Sequence, residues 1–201
     1  LNIMDGVTAS TAELNYNDFT PTARYPLRMN SGGTAYESFE DTYGLARQGL
    51  INSDFKVWQR NTTFTTPNDD TYGPDRWNFL VEANGSWTFA RDTDVPTNSG
   101  ALYSLKATNV TLNNQCGIVQ ILENVNAKEF IGKTASFSFW AKTNSTEIAN
   151  LRATILSWSS TADSVTSDVI GTWASDGTDP TFATNWTKEV AGSNLALTSS
   201  W

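Results

Sequence analysis

The stretch "RWNFLVEANGSWTFAR", residues 76–91, decides the fold class. Trp77, Phe79 and Val81 alternate with polar or smaller residues, a period of two that turns every second side chain to one face of a strand. Asn84-Gly85 then offers the backbone a tight turn, and Trp87 and Phe89 resume the alternation. Read by itself, the stretch is a β-hairpin with an aromatic inner face.

Moving outward, strand-length apolar runs recur: "LINSDFKVWQR" (50–60), which reads as a first strand, "ALYSLKATNV" (101–110), "QCGIVQILENV" (115–125), "TASFSFWAKT" (134–143) and "LRATILSW" (151–158). "TSDVIGTWAS" (166–175) and "NLALTSSW" (194–201) are weaker strands. Asn, Thr, Gly and Ser clusters separate them, and no segment sustains a 3.6-residue apolar period. Eight Trp, ten Phe and six Tyr supply bulky core material although apolar residues are only 39% of the chain. The expected class is all-β, with residues 49–201 forming an antiparallel jelly-roll sandwich. Trp58, Trp77 and Trp87 are expected in its core.

Charge and composition exclude several function classes. The net charge is −8 and the Lys and Arg residues are scattered, so nucleic acid and anionic membrane surfaces are not expected partners. No run approaches the ~18 apolar residues of a membrane span, so membrane insertion is not expected. There is no histidine, which removes His-dependent nucleophile schemes and His-ligated metals. A single cysteine, Cys116, lies in a strand-like run and reads as a small buried hydrophobe. The remaining catalytic chemistry is a glycosidase-type carboxylate pair drawn from Asp92, Asp94, Glu123 and Glu129. These acids sit in polar, turn-like contexts and read as solvated loop residues, so the expectation is that the protein is not an enzyme and needs no cofactor.

Two candidate sites follow from the residues. "PNDDTYGPD" (67–75) gathers Asp69, Asp70 and Asp75 in one loop, a set of hard oxygen ligands that would suit Ca²⁺, though without EF-hand spacing. The bland reading is that Asp75 pairs with Arg76 beside the core Trp77. The second site comes from treating 135–142 and 151–158 as an antiparallel hairpin. Register then puts Phe137, Phe139 and Ala141 with Leu151, Ala153 and Ile155 on the inner face. Trp140, Lys142, Arg152, Thr154 and Trp158 share the outer face, where two indoles about 20 Å apart would stack on a glycan of several sugars. The plainer reading is that this face packs on a loop, a neighbouring subunit or another domain.

The N-terminus has its own pattern. Leu1-Asn2-Ile3-Met4-Asp5 returns thirteen residues later as Leu14-Asn15-Tyr16-Asn17-Asp18. Units this short cannot bury their own apolar residues, and repeats of this kind are stabilised by neighbours. Residues 1–20 are therefore expected to be a shaft segment, and 21–48 a neck or linker with a short helical turn around Glu37–Ala46.

"LNIMDGVTASTAELN" resembles the short shaft repeats of tailed-phage tail fibres and related virion appendages. "INSDFKVWQRNTTFT…YGPDRW" resembles the opening of a module found in phage structural proteins, and "GKTASFSFWAKT" resembles a core strand of carbohydrate-binding jelly rolls. The resemblance covers roughly residues 1–15, 50–80 and 132–143, the first being the most specific. It implies a homotrimer with Leu1, Ile3, Met4, Val7 and Leu14 in the inter-chain core, other virion tail proteins as partners, host-surface glycan contact, and a place in the virion tail, extracellular when acting. It also implies that the sandwich continues past Trp201. The alternatives are a carbohydrate-binding module of a secreted glycoside hydrolase, which gives the repeat no role, and a head or tail decoration protein without a ligand.

Overall fold

The computed structural model describes residues 27–29, 32–33, 36–38 and 49–201, the last span apart from 129, 146–147, 149, 163–167, 176 and 191. The chain divides into two compact units, Leu1–Gln48 and Gly49–Trp201. In the first, β1 (Leu27–Met29) and β2 (Tyr36–Ser38) pair antiparallel, with Arg28 opposite Glu37. Glu37 and Ser38 are thus strand residues, not the start of a helical turn. The expected oligomer-core residues Leu1, Ile3, Met4, Val7 and Leu14 lie outside the described residues.

The second unit is all-β. In chain order it contains β3 (Thr63–Thr65), β4 (Asn78–Val81), β5 (Trp87–Asp92), β6 (Ser104–Asn109) and β7 (Cys116–Val119). One four-residue helix, α1 (Asn124–Ala127), follows; then come β8 (Asn150–Leu151), β9 (Leu156–Trp158), β10 (Ile170–Thr172), β11 (Thr181–Phe182), β12 (Trp186–Lys188) and β13 (Leu195–Ala196). The sheets are small and antiparallel: β3-β5-β6, β4-β7, β9-β12, β8-β13 and β10-β11. Among the described residues no ladder joins these sheets into the two continuous layers of a jelly roll.

The deciding stretch folds differently from a hairpin. The expected inward residues Trp77, Phe79, Val81, Trp87 and Phe89 are all buried, but burial alternates only in β5, because Leu80 on the other face of β4 is buried as well. Yet β4 pairs with β7, with Phe79 opposite Ile118, while β5 pairs with β3 and β6. The Asn84-Gly85 turn carries the chain from one sheet to the other. Gly85 takes φ 79°, a left-handed conformation that glycine adopts without a Cβ clash. Phe79 and Phe89 therefore meet across the two sheets, ring centroids 4.0 Å apart and planes 6° from parallel. With Val81 and Trp87 they form the core cluster, and Trp58, Phe64, Leu105 and Cys116 pack around it. Each such buried side chain contributes about 1.5–3 kcal/mol from its apolar surface.

The edge of β4 that β7 leaves open is closed by the acidic loop. Phe79 N–H donates to the Thr71 carbonyl at 2.9 Å, and Val81 N–H donates to Asp69 Oδ1 at 2.8 Å. Asn84 Oδ1 in turn accepts from Asp69 N–H at 2.7 Å. A buried N–H must find an acceptor, and here a side chain supplies it.

Three more expectations fail. Residues 50–60 form no strand; Asn52 substitutes side-chain hydrogen bonds for a ladder, donating to the Val57 and Asp75 carbonyls and accepting from Val57 N–H. Residues 134–142 are likewise outside any ladder, and Phe137 and Phe139, expected inside, are 46% and 41% exposed. "LRATILSW" is split, since β8 pairs with β13 and β9 with β12.

Candidate functional site

The five residues expected on one glycan-binding face do not share one. Arg152 lies between β8 and β9, turned into the β10–β11 and β12–β13 loops. Its Nε donates to Asp179 Oδ1 at 2.8 Å, Nη1 to the Gly177 carbonyl at 2.8 Å and to Asn194 Oδ1 at 2.5 Å, and Nη2 to the Gly192 carbonyl at 2.6 Å. Thr154 Oγ1 donates to the Val190 carbonyl at 2.5 Å. Trp158 packs on Trp186 at 5.2 Å and donates its indole N–H to the Thr161 carbonyl at 2.8 Å. These three residues hold the fold together. The reason is the split register: without a 135–142/151–158 hairpin there is no common outer face.

Trp140 and Lys142 remain, and the structure gives them a different companion, Trp201. The three line an open groove of about 480 Å³, completed by Pro96 and Thr97 from the loop after β5 and by Ser199 and Ser200. The groove is built from three segments remote in sequence. Thr143 N–H donates to the Thr198 carbonyl at 2.9 Å, which lays residues 198–201 beside the 140–143 segment. Asp94 then clamps both walls: Oδ2 takes Lys142 Nζ at 2.5 Å, and Oδ1 accepts the Trp201 indole N–H at 2.8 Å. The Lys142 ammonium also sits 4.9 Å from the Trp201 ring centroid, within cation–π range.

Asp94 is itself fixed. Its N–H donates to Asp92 Oδ1 at 3.0 Å, and its carbonyl accepts from Ser104 Oγ at 2.7 Å. The hydrogen bond from Lys142, then that from Trp201, holds the Asp94 carboxyl below its ordinary range. Asp92 is lowered too, chiefly by the Asp94 backbone N–H, and lies 3.5 Å from Lys106. A glycosidase general acid needs the opposite shift, a carboxyl raised enough to hold a proton near neutrality. Glu123 binds Arg76 at 2.9 Å, and Glu129 lies outside the described residues. Trp140 exposes 65% of its surface in a groove whose lining also carries the Lys142 ammonium and the hydroxyls of Thr97, Ser199 and Ser200, with Asp94 holding Lys142 and Trp201 in place.

The acidic loop does not assemble as a cation site. Asp69 Oδ1 caps Val81 N–H, and Asp75 Oδ2 accepts from Gln59 N–H at 2.9 Å. Arg76 pairs with Glu123 rather than with its neighbour Asp75. Asp70 points one oxygen, Oδ1, into a buried position without a partner. Burial, then the charges of Asp69 and Asp168, push its pKa up to about 6. Among the described residues no three His, Cys, Asp or Glu side chains are gathered so as to hold a metal ion.

Sequence reasoning missed Trp201 as the companion of Trp140 in the groove and Asp94 as the partner of Lys142 and Trp201. Trp201 lies in the segment after β13 and Asp94 in the loop after β5, and 107 positions separate them. No local pattern links such residues. No family model, curated protein or solved structure matches the chain.

Proposed function

We propose that this chain belongs to a phage virion appendage, a trimeric tail fibre or spike, whose β-domain contacts host-surface glycans through the Trp140–Trp201 groove. The groove carries the glycan half of this reading. An indole left mostly in water costs apolar hydration, and a flat apolar face beside fixed hydrogen-bonding groups matches a sugar ring, apolar on its C–H face and polar at its rim. The fibre half rests on the thirteen-residue near-repeat of residues 1–18. In this reading the small sheets of the second unit are the strand pairs of a jelly roll, and other virion tail proteins are the partners.

Two measurements test the halves separately. Replacing Ile3 and Met4 by Asp should dissociate the trimer in light scattering, because a buried unpaired charge costs several kcal/mol. An unchanged mass would overturn the shaft assignment, and a wild-type monomer would favour a binding module of a secreted glycoside hydrolase. Trp140→Ala and Trp201→Phe should each weaken binding on a glycan array at least about tenfold, the fold being checked by circular dichroism. Undiminished binding in both would remove the groove from consideration.

A further inference from the structure

The charge arrangement of the groove narrows its ligand, granted that the groove binds glycans at all. Lys142 is the groove's cation, and it is not available as a bare positive charge. Asp94 Oδ2 holds it at 2.5 Å, and the Trp201 ring covers it at 4.9 Å. An incoming carboxylate or phosphate would have to compete with Asp94 for the ammonium while approaching the Asp94 charge itself. Like charges brought together are unfavourable, most of all at low salt, since 56% of the Asp94 side chain is exposed. An uncharged sugar meets no such conflict. The Asp94 carboxylate has about four acceptor sites, of which Lys142 and Trp201 take two, and the ammonium has three donors. One fixed acceptor and one fixed donor side by side suit two neighbouring hydroxyls on one ring.

We propose that Asp94 is the specificity-determining residue of the groove, selecting uncharged glycans and rejecting acidic ones by occupying Lys142. The residue does two separable jobs, and Asp94→Asn divides them. An asparagine oxygen still accepts the Trp201 indole N–H, so the wall stays in place. The charge that neutralises Lys142 is lost.

The test is a glycan array and solution titration with a neutral polysaccharide, dextran or galactomannan, and an acidic one, polygalacturonate. Wild-type protein should bind the neutral class with little response to salt between about 20 and about 200 mM. Asp94→Asn should gain polygalacturonate binding by roughly two- to fivefold at low salt, as expected for one partly exposed charge pair. That gain should vanish at high salt and in Asp94→Asn/Lys142→Gln. Wild-type preference for polygalacturonate, or no gain in Asp94→Asn, would overturn the selectivity while leaving glycan binding intact. Failure of the wild type to bind either class would overturn the glycan reading and this inference with it.

Discussion

Replacing Arg152 by Ala discriminates a structural staple from a ligand contact. The guanidinium satisfies two loop carbonyls, Gly177 and Gly192, one side-chain amide, Asn194, and one carboxylate, Asp179, with 26% of the side chain exposed. Hydrogen bonds to charged groups contribute about 1.5–3 kcal/mol each when buried, and less where water reaches them. Asp179 would not be orphaned, since it also binds Lys188. Asn194 can turn to water. The unrecovered cost is therefore that of two carbonyls and the packing of the side-chain stem, about 2–4 kcal/mol. With a urea m-value of ~2 kcal/mol/M, the midpoint should fall by roughly 1–2 M with m unchanged. Arg152→Lys should recover less than half, because one ammonium cannot span four partners set around a planar fork. The Asp179 carboxyl is held low chiefly by Lys188, so stability present above the ordinary carboxyl range and lost below it should persist in the variant. Glycan binding should be unaffected. A midpoint within ~0.2 M of wild type, or loss of glycan binding at unchanged stability, would refute the staple.

Four further outcomes follow from the core and the acidic loop. Phe79→Ala should cost about 3–5 kcal/mol in urea unfolding, Phe79 being fully buried and stacked on Phe89. A Cβ on Gly73 would lie 2.3 Å from Phe79 Cζ, so Gly73→Ala should cost about 1–3 kcal/mol alone and almost nothing in the Phe79→Ala background; simple additivity would show that the clash is absent. Asp70 has its pKa raised to about 6, so its neutral form is favoured by folding; stability is greatest below the ordinary carboxyl pKa and declines as pH rises through 6. Asp70→Asn, which tolerates the observed φ of 59°, should remove that decline and add about 1 kcal/mol at pH 8 after allowance for solvent screening, whereas an equal difference at pH 4 and pH 8 would refute it. Cys116 is partly buried against the core cluster and its pKa is pushed up to about 12 by burial, so its thiol should react with a disulfide reagent at pH 8 more slowly than in urea, and labelling of the folded protein at the denatured rate would contradict that packing.

The inner faces of the core were legible because burial follows side-chain period, and a period of two needs no knowledge of partners. Trp77, Phe79, Val81, Trp87 and Phe89 are buried as the alternation requires, while Leu80, on the opposite face of β4, is buried beside them without any signal in that period. What the alternation does not contain is which strand lies alongside. A two-strand hairpin and a turn that crosses between facing sheets put the same residues inside, and both accept Asn-Gly at the bend. The choice here is made by residues far along the chain: Cys116–Val119 takes the flank of β4, and Ser104–Asn109 takes that of β5. Asp69 was misleading for the same reason. Its acidic cluster suggested a cation, but the oxygen is used by the Val81 N–H that the crossover leaves without a ladder partner.

The site shows how far that limit reaches. Phe137 and Phe139 alternate with Ser136 and Ser138 as cleanly as any core strand, and the pattern placed Trp140 and Lys142 on one side of them. A strand face becomes inner or outer only when a ladder fixes it, and residues 134–142 have none among the described residues. The neighbour they do have is the segment ending at Trp201, tied on through the Thr143–Thr198 hydrogen bond. Asp94 then selects Lys142 and Trp201 over any residue near it in sequence, because a carboxylate in a turn binds whichever cation and indole N–H the fold delivers. Trp140 and Lys142 could be found from composition and spacing. The groove they belong to is made by closure of the fold, so its remaining half follows from geometry alone.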